Sequence, residues 1–176
     1  KTYSSTGYAG YYSFTNLANV TFSRIESLVS LDNPPTIAGV SAGQTTTDKV
    51  SISPFSNVTI SAYASEPLTT TVTLSNTTNG SFSSASLIAS GFTNMGGGVY
   101  QRSGLSANIT TGIRQLVFVP TENQVTPSST VTTTFTISAS DGIAAPATNS
   151  TTTVIATSAN IGVVPTAFIA SAAAKS

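Results

Sequence analysis

The chain has 176 residues, of which about a third are serine or threonine and only 7% are charged. Six basic and six acidic side chains give a formal net charge of zero. Ordinary globular proteins are about a quarter charged, so hydroxyls and amides must cover most of this protein's surface. Apolar residues are frequent enough to predict a packed domain rather than a disordered chain.

The missing residue types exclude several kinds of chemistry. The sequence contains no histidine, cysteine or tryptophan. It therefore cannot build a serine–histidine–aspartate triad, a cysteine–histidine dyad, or a metal site with thiolate or imidazole ligands. The basic residues are scattered, so no basic stripe is available and we expect no nucleic-acid partner.

The first segment, residues 1–31, is rich in aromatic side chains. Tyr8, Tyr11, Tyr12 and Phe14 lie close together in it, and each would leave a large apolar area in water if the segment were free. We expect an arm that either folds back on its own domain as extra strands or covers a neighbouring subunit. The chain does not begin with methionine or an apolar leader, which favours a removed signal peptide or a fragment.

In the second segment, residues 32–160, apolar residues recur at every second position. Between 68 and 74, and again between 131 and 139, every second residue is apolar or a threonine, which is typical of half-buried strands. The remaining strand runs are 58–62, 116–119 and 151–157. Turns are predicted at Asn79-Gly80, Gly96-Gly97-Gly98 and Asp141-Gly142. Short strands with turns at this spacing predict an all-β sandwich.

Helical spacing occurs at two places. Ile109, Ile113 and Leu116 stand at i, i+4 and i+7, which predicts one short helix with Ser106 as its cap. In the first segment, Ser23 and Glu26 have the spacing of a capping box. That spacing permits a short helix near residues 24–31, and a strand there is the alternative of almost equal weight.

The last segment, residues 161–176, is apolar and rich in alanine. It is interrupted by polar residues and a proline, and it is too short and too polar to span a membrane. We expect it to be a second arm that is covered by another copy of the chain. Its large apolar residues are Val163, Val164, Phe168 and Ile169.

Parts of the middle segment resemble a known family. The opening Asp-Asn-Pro-Pro-Thr-Ile-Ala-Gly at 32–39 looks like the start of the Ig-like or cadherin-like repeats of very large bacterial surface and secreted adhesins. The stretch 115–125 is similar to their passage from helix to strand, and 130–142 and 151–157 match their last strands. The resemblance covers about residues 32–160. It implies an Ig-like (cadherin-like) sandwich outside a bacterial cell, and it implies no catalytic residue.

The candidate metal and catalytic groups are six carboxylates. No spacing among them favours a glycosidase pair, so we assign no catalytic residue and expect no enzyme. Related cadherin domains bind calcium through clustered carboxylates, whereas Asp32 has no second carboxylate beside it, and no Asp-x-Asp-x-Asp sequence occurs. We assign no cofactor or metal site, and a structural calcium ion is the alternative.

Two kinds of surface site are predicted besides the arms. Tyr100 and Arg102 follow a glycine-rich stretch, where an aromatic ring could stack on a sugar; a glycine-rich hairpin is the alternative interpretation. Asparagines in Asn-x-Ser/Thr sequences are candidates for glycosylation in an exported protein. They are Asn19, Asn57, Asn76, Asn79, Asn108 and Asn149.

The arms, the low charge and the uncharged strand edges together predict a function. We expect an extracellular or cell-surface structural protein that forms a homopolymer, a filament or matrix fibre, through strand exchange or arm packing between copies. Its polymer interface would include the aromatic and apolar residues of both arms. The alternative is a single adhesin module that binds a glycan or another cell-surface partner through its loops.

Overall fold

The structure, a computed structural model, describes residues 2–4, 7–12, 20–25, 33–62 and 66–159. The chain forms two compact units, Lys1–Asp32 and Asn33–Ser176. The described part is mostly β, with two short α-helices, and is compatible with the predicted all-β sandwich.

The first unit is a small antiparallel sheet. Its strands are β1 (Thr2–Ser4), β2 (Gly7–Tyr12) and β3 (Val20–Ile25), in the order β1-β2-β3. Three of the predicted interface residues lie on the central strand, where Tyr8 is paired on both sides, with Tyr3 and with Ile25. The N-terminal segment is therefore a sheet in itself, in which β2 pairs with β3 over residues 8–12 and with β1 over residues 7–9.

The second unit has one large mixed sheet and two small antiparallel ones. The large sheet runs β5-β14-β12-β7-β10-β9 with β13 also paired to β12, and the small sheets are β4-β6 and β8-β11. The strands are β4 (Thr36–Ala38), β5 (Gln44–Thr47), β6 (Thr59–Ser61), β7 (Pro67–Leu74), β8 (Gly80–Phe82), β9 (Thr93–Gly96), β10 (Val99–Leu105), β11 (Phe118–Pro120), β12 (Thr130–Ser140), β13 (Ala147–Asn149) and β14 (Thr153–Thr157).

The predicted alternation is confirmed in the two longest strands. In β7 the buried residues are Leu68, Thr70, Val72 and Leu74, while the threonines between them are exposed or half-buried. In β12 the buried positions are again every second residue, from 133 to 139. One face of the large sheet therefore lies on the core and the other carries polar side chains.

Aromatic rings fill the centre of the core. The ring of Phe135 on β12 lies 5.3 Å from that of Phe55, 5.8 Å from that of Phe82 and 5.0 Å from that of Phe118, measured between centroids. Most of these pairs are edge-on, which is the arrangement that aromatic quadrupoles favour. Phe135 thus joins the large sheet to the β8-β11 sheet.

The helix predicted from Ile109 and Ile113 is confirmed, and helix α1 was not expected. Of the helix predicted over 24–31, residues 24 and 25 lie on strand β3, which was the alternative, and residues 26–31 lie outside the described residues. Helix α2 (Ser106–Arg114) buries Ile109 and Ile113, but Leu105 rather than Ser106 occupies its N-cap position. Helix α1 (Ser84–Ser90) was missed because its serine-rich sequence has little helical periodicity. Its ends do carry a signal: Ser83 accepts from the N–H of Ser86 at 3.2 Å, and the chain leaves the helix through a left-handed glycine.

The predicted hairpin at Asn79-Gly80 is wrong. Residues Thr77–Asn79 form a 3-10 turn, and Gly80 begins β8, which pairs with β11 instead of folding back as a hairpin. Gly80 has a φ of 150°, and a side chain there would run into Phe118. Asn79-Gly80 has the composition of a tight turn, but the missing side chain of Gly80 instead allows β8 to pack closely against Phe118. The turns at Gly96–Gly98 and Asp141–Gly142 are confirmed.

A close approach explains the glycine in the middle of helix α2. A Cβ at Gly112 would lie 2.5 Å from the carbonyl oxygen of Ser90, and it would also collide with the guanidinium of Arg102. That guanidinium donates through Nη1 to the same Ser90 carbonyl at the C-terminus of α1. The two helices and Arg102 can pack together only because residue 112 has no side chain.

We expect Gly112→Ala to destabilise the protein by about 2 kcal/mol, although alanine is the better helix former. Overpacking against a backbone carbonyl should outweigh the gain in helix propensity. Asn108→Ala, on the exposed side of the same helix, is the matched control and should change stability by less than about 0.5 kcal/mol. Urea denaturation of the two variants checks this, and equal stability of both would contradict the close-packing account.

Candidate functional site

Strand β5 is an open edge of the large sheet. It pairs with β14 in parallel on one side, and no strand in the described part of the chain pairs with its other side. The N–H of Asp48 donates to the carbonyl of Thr157 at 3.0 Å. Because backbone groups alternate in direction along a strand, those of Thr45 and Thr47 point away from β14. The Thr47 carbonyl accepts from Val50, so the outward N–H groups of both threonines and the Thr45 carbonyl remain on this edge.

The side chains of this edge are uncharged. A shallow depression there is lined by Thr45, Thr46, Thr47, Val50 and Thr157, and 56% of Val50 is exposed. A lysine on an edge strand normally discourages pairing with another chain. Here the nearest lysine, Lys49, is engaged in an ion pair with Glu122.

A buried carboxylate lies at the end of this strand. Asp48 accepts three hydrogen bonds: from the N–H of Ala159 at 2.9 Å, from the N–H of Asn123 at 2.9 Å, and from the hydroxyl of Ser158 at 3.2 Å. The residue is only 4% exposed. The two backbone hydrogen bonds, from Ala159 and then from Asn123, lower the pKa of Asp48 because they stabilise its charged form.

Asp48 and residues 128–129 together hold the last described residues of the chain. The N–H of Ser158 donates to the Ser129 carbonyl at 2.8 Å, and the Ser158 carbonyl accepts from the N–H of Ser128 at 2.9 Å. Strands β5 and β14 run parallel and finish at the same end of the sheet, with Thr157 opposite Thr47. The carboxylate then fixes Ser158 and Ala159 to the end of β5. Ser158 and Ala159, the last residues that the structure describes, therefore lie at the end of β5.

The predicted interface residues are only partly within the described chain. Tyr8, Tyr11 and Tyr12 lie on β2 of the N-terminal sheet. Outside the described residues are Phe14, Val163, Val164, Phe168 and Ile169.

The predicted glycan contact at Tyr100 is wrong. Only 3% of Tyr100 is exposed, and its ring packs edge-on against Phe82 with centroids 4.8 Å apart. Its face is therefore not available to stack on a sugar. Arg102 points toward the helices and binds the Ser90 carbonyl, although it also lines a surface depression with Gly91 and Met95. The sequence pattern could not reveal which side of β10 faces the core.

The candidate glycosylation sites differ in exposure. Asn57, Asn76 and Asn108 are exposed, and Asn149 is half-buried. Asn79 is wrong as a candidate because it is buried and its amide donates to the Thr132 carbonyl at 3.2 Å. Asn19 lies outside the described residues.

Comparison of the chain with protein-family models, with curated proteins and with solved structures found no match. Within residues 33–62 and 66–159, no three carboxylates lie close enough together to hold a metal ion. No helix that the structure describes is long and apolar enough to cross a membrane.

Sequence analysis did not single out Asp48 as a functional residue. Its role depends on Asn123 and Ser158, which are far away in the sequence and come together only in the fold. The available signal was weak: an aspartate that directly follows a strand commonly caps backbone N–H groups.

Asp48→Asn should lower stability at neutral pH, because an amide cannot accept hydrogen bonds on both of its heavy atoms. The folded-state pKa of Asp48 lies below its ordinary value of 3.8. Its stabilisation is therefore complete above the ordinary value and is lost as the pH falls through the folded-state pKa. The difference in free energy of unfolding between wild type and variant should therefore become smaller as the pH falls through the folded-state pKa. Urea denaturation at several pH values from about 7 down to about 2 measures this difference.

Glu122→Gln is the matched control for this prediction. It removes a nearby exposed carboxylate and leaves the Asp48 hydrogen bonds in place. The stability of Glu122→Gln should depend on pH as that of the wild type does. If Asp48→Asn also kept that dependence, Asp48 would not be the acid-sensitive link between β5 and the last segment.

Proposed function

We propose that the protein is an exported structural subunit that joins copies of itself by strand addition at the open edge of β5. Its second unit would be an Ig-like (cadherin-like) sandwich, in keeping with the resemblance of residues 32–160 to repeats of bacterial adhesins. The proposal assigns no catalytic residue. The observation that carries it is the uncharged outer side of β5, next to the place where the last segment leaves the domain.

Strand addition suits this edge physically. The outward N–H groups of Thr45 and Thr47 and the Thr45 carbonyl offer main-chain hydrogen bonds to an added strand. Threonines favour the extended conformation, and they place no charge in the path of the incoming chain. The exposed side chain of Val50 would gain apolar contact with that chain.

The last segment is the better donor of the two predicted arms. The central strand of the N-terminal sheet is already paired with β3 over residues 8–12 and with β1 over residues 7–9. Residues 161–176 contain Val163 and Ile169 on one alternation, and Val164 and Phe168 on the other. Pro165 would be tolerated because an added strand is itself an edge, and its outer side needs no N–H donor.

Attachment by Asp48 favours a donor that reaches a second copy. Residues 158 and 159 are fixed at the end where β5 finishes. To cover its own β5, the segment would have to reverse direction at once and pass around the end of that strand. A neighbour's edge can be reached without that reversal, and repetition of such a heterologous contact builds a filament.

Replacing Thr45 by proline should stop polymer formation. The substitution removes an outward N–H and leaves the hydrogen bonds between β5 and β14 in place. We expect Thr45→Pro to remain folded and to form no fibres in electron micrographs or fast-sedimenting species. Thr45→Val keeps the N–H and should polymerise as the wild type does. Fibres of Thr45→Pro equal to those of wild type would rule out β5 as the acceptor edge.

A charge on the donor should have the same effect as a blocked acceptor. We expect Phe168→Asp to reduce polymer mass at least tenfold in sedimentation assays, since the aspartate would have to be buried. Ser176→Asp adds the same charge at the end of the segment and should have little effect. Normal polymerisation of Phe168→Asp would show that the segment does not bridge two copies. The same conclusion would follow if the wild-type chain were a monomer and Thr45→Pro only lowered its stability.

A further inference from the structure

A surface depression lies where strand β9 begins beside β10. The pairing of these two strands ends at Thr93 and Gln101, and no other strand in the described part of the chain covers that side of β10 from residue 102 onward. The depression has a volume of about 410 Å³, which is within the range of small-ligand sites. Its lining residues are Gly91, Thr93, Met95, Gln101, Arg102 and Ser103.

Arg102 gives the depression a positive charge, and the other five lining residues are neutral. It is half-buried, and no carboxylate in the described part of the chain pairs with it. Its guanidinium carries five N–H donors, and the acceptor that it has among the described residues is the Ser90 carbonyl at the end of α1. That carbonyl has only a partial negative charge. A full positive charge and several donors therefore remain for an anion.

Two glycines hold the guanidinium in place and leave it accessible. On the helix side it packs against Gly112, where a side chain would collide with Nη1. On the other side, a Cβ at Gly91 would lie 3.4 Å from Cζ and 3.5 Å from Nε. Because residue 91 has no side chain, that space beside the guanidinium stays open, and Gly91 itself borders the depression. An arginine that is already fixed loses little conformational entropy when it binds.

We propose that this depression binds an acidic sugar, a uronate, through its carboxylate. Arginine can bind a carboxylate with two parallel N–H donors, and such charge-assisted bonds are stronger than neutral ones. The hydroxyls of Thr93 and Ser103 and the amide of Gln101 would meet the hydroxyls of the sugar. Met95 is 59% exposed and offers apolar contact to the ring carbons.

The surrounding groups favour a sugar over a phosphate. Two of them are already positioned by β7: Gln101 donates to the Thr71 hydroxyl at 3.4 Å, and Ser103 hydrogen-bonds Thr69 at 3.0 Å. Phosphate groups carry nearly two negative charges, and proteins usually bind them with clusters of arginines. Arg102 is the one basic residue of this lining. One positive charge among neutral hydrogen-bonding groups matches one carboxylate on a polyhydroxylated ring.

The site is independent of the edge that the proposed function uses. Strands β5 and β9 are the first and last strands in the order of the large sheet, five strand spacings or about 24 Å apart. A strand added at β5 therefore leaves the depression open. In a polymer joined at β5 the sites would repeat along the fibre, so a polymeric uronate would bind by multivalency.

The test uses the full chain with elongation blocked by Thr45→Pro. We expect galacturonate to bind with a dissociation constant of about 1 mM, and galactose to bind about tenfold more weakly or not at all. These two sugars differ only in the carboxylate, so the comparison isolates the contact with Arg102. Chemical shifts in an NMR titration measure the affinity, and the shifts should change at residues 91–95 and 101–103.

Thr93→Asp and Asn94→Asp form a matched pair of variants. Each adds one negative charge to β9, but only residue 93 lines the depression. Asn94 accepts the N–H of Gly96 at 2.8 Å, a bond that an aspartate keeps. Thr93→Asp should weaken galacturonate binding about tenfold, because its carboxylate competes for the guanidinium, whereas Asn94→Asp should weaken it less than about twofold. Arg102→Lys keeps the charge without the paired donors and should weaken binding about fivefold.

Each outcome decides for or against the site. Equal binding of galacturonate and galactose, or equal effects of the two aspartates, would overturn it. Acetate or inorganic phosphate that binds as tightly as galacturonate would also overturn it, because the sugar would then add nothing. If Arg102→Lys does not fold by circular dichroism, the aspartate pair still decides. Should Thr45→Pro form fibres, the edge proposal alone fails, and equilibrium dialysis of the same variants against galacturonate judges the depression.

Discussion

The contact of Phe135 with three other phenylalanine rings is the interaction on which this fold depends. Its ring lies within 5.0 to 5.8 Å of those of Phe118, Phe55 and Phe82, which come from separate parts of the chain. Phe135 also stands where β12 changes neighbours, since residues before it pair with β14 and residues from it onward pair with β7. One ring thus fixes both the core and the register of the longest strand. That register decides which residues of β12 reach the outer face.

A chain with so few charges depends on this register more than an ordinary chain does. A slip of one residue on β12 would place Phe135 outside and a threonine inside. Charged side chains usually oppose such slips, because their burial is costly. Here the alternation of threonine with large apolar residues must do this alone, and the packing of Phe135 makes the correct register much the more favourable one.

The parts of the fold that were predicted from the sequence are those governed by local periodicity. The inward residues of β7 and the helix that buries Ile109 follow from spacing alone. The hairpin predicted at Asn79-Gly80 was wrong because Phe118, which is distant in sequence, packs where a side chain at residue 80 would lie. The glycan contact predicted at Tyr100 was wrong because a period of two shows that a strand has two faces but not which of them is buried. Asp48 could not be recognised, since Asn123 and Ala159 reach it only in the folded chain.

Strand addition at β5 extends the large sheet in the direction perpendicular to its strands. It uses the backbone of one edge strand and leaves the side chains on the faces of the sheet as they are. It also requires the low charge that is evident in the composition, because a lysine on the edge would oppose pairing with another chain. A single property of the sequence, the use of threonine where most proteins place ionic side chains, would then account both for the open edge and for its use.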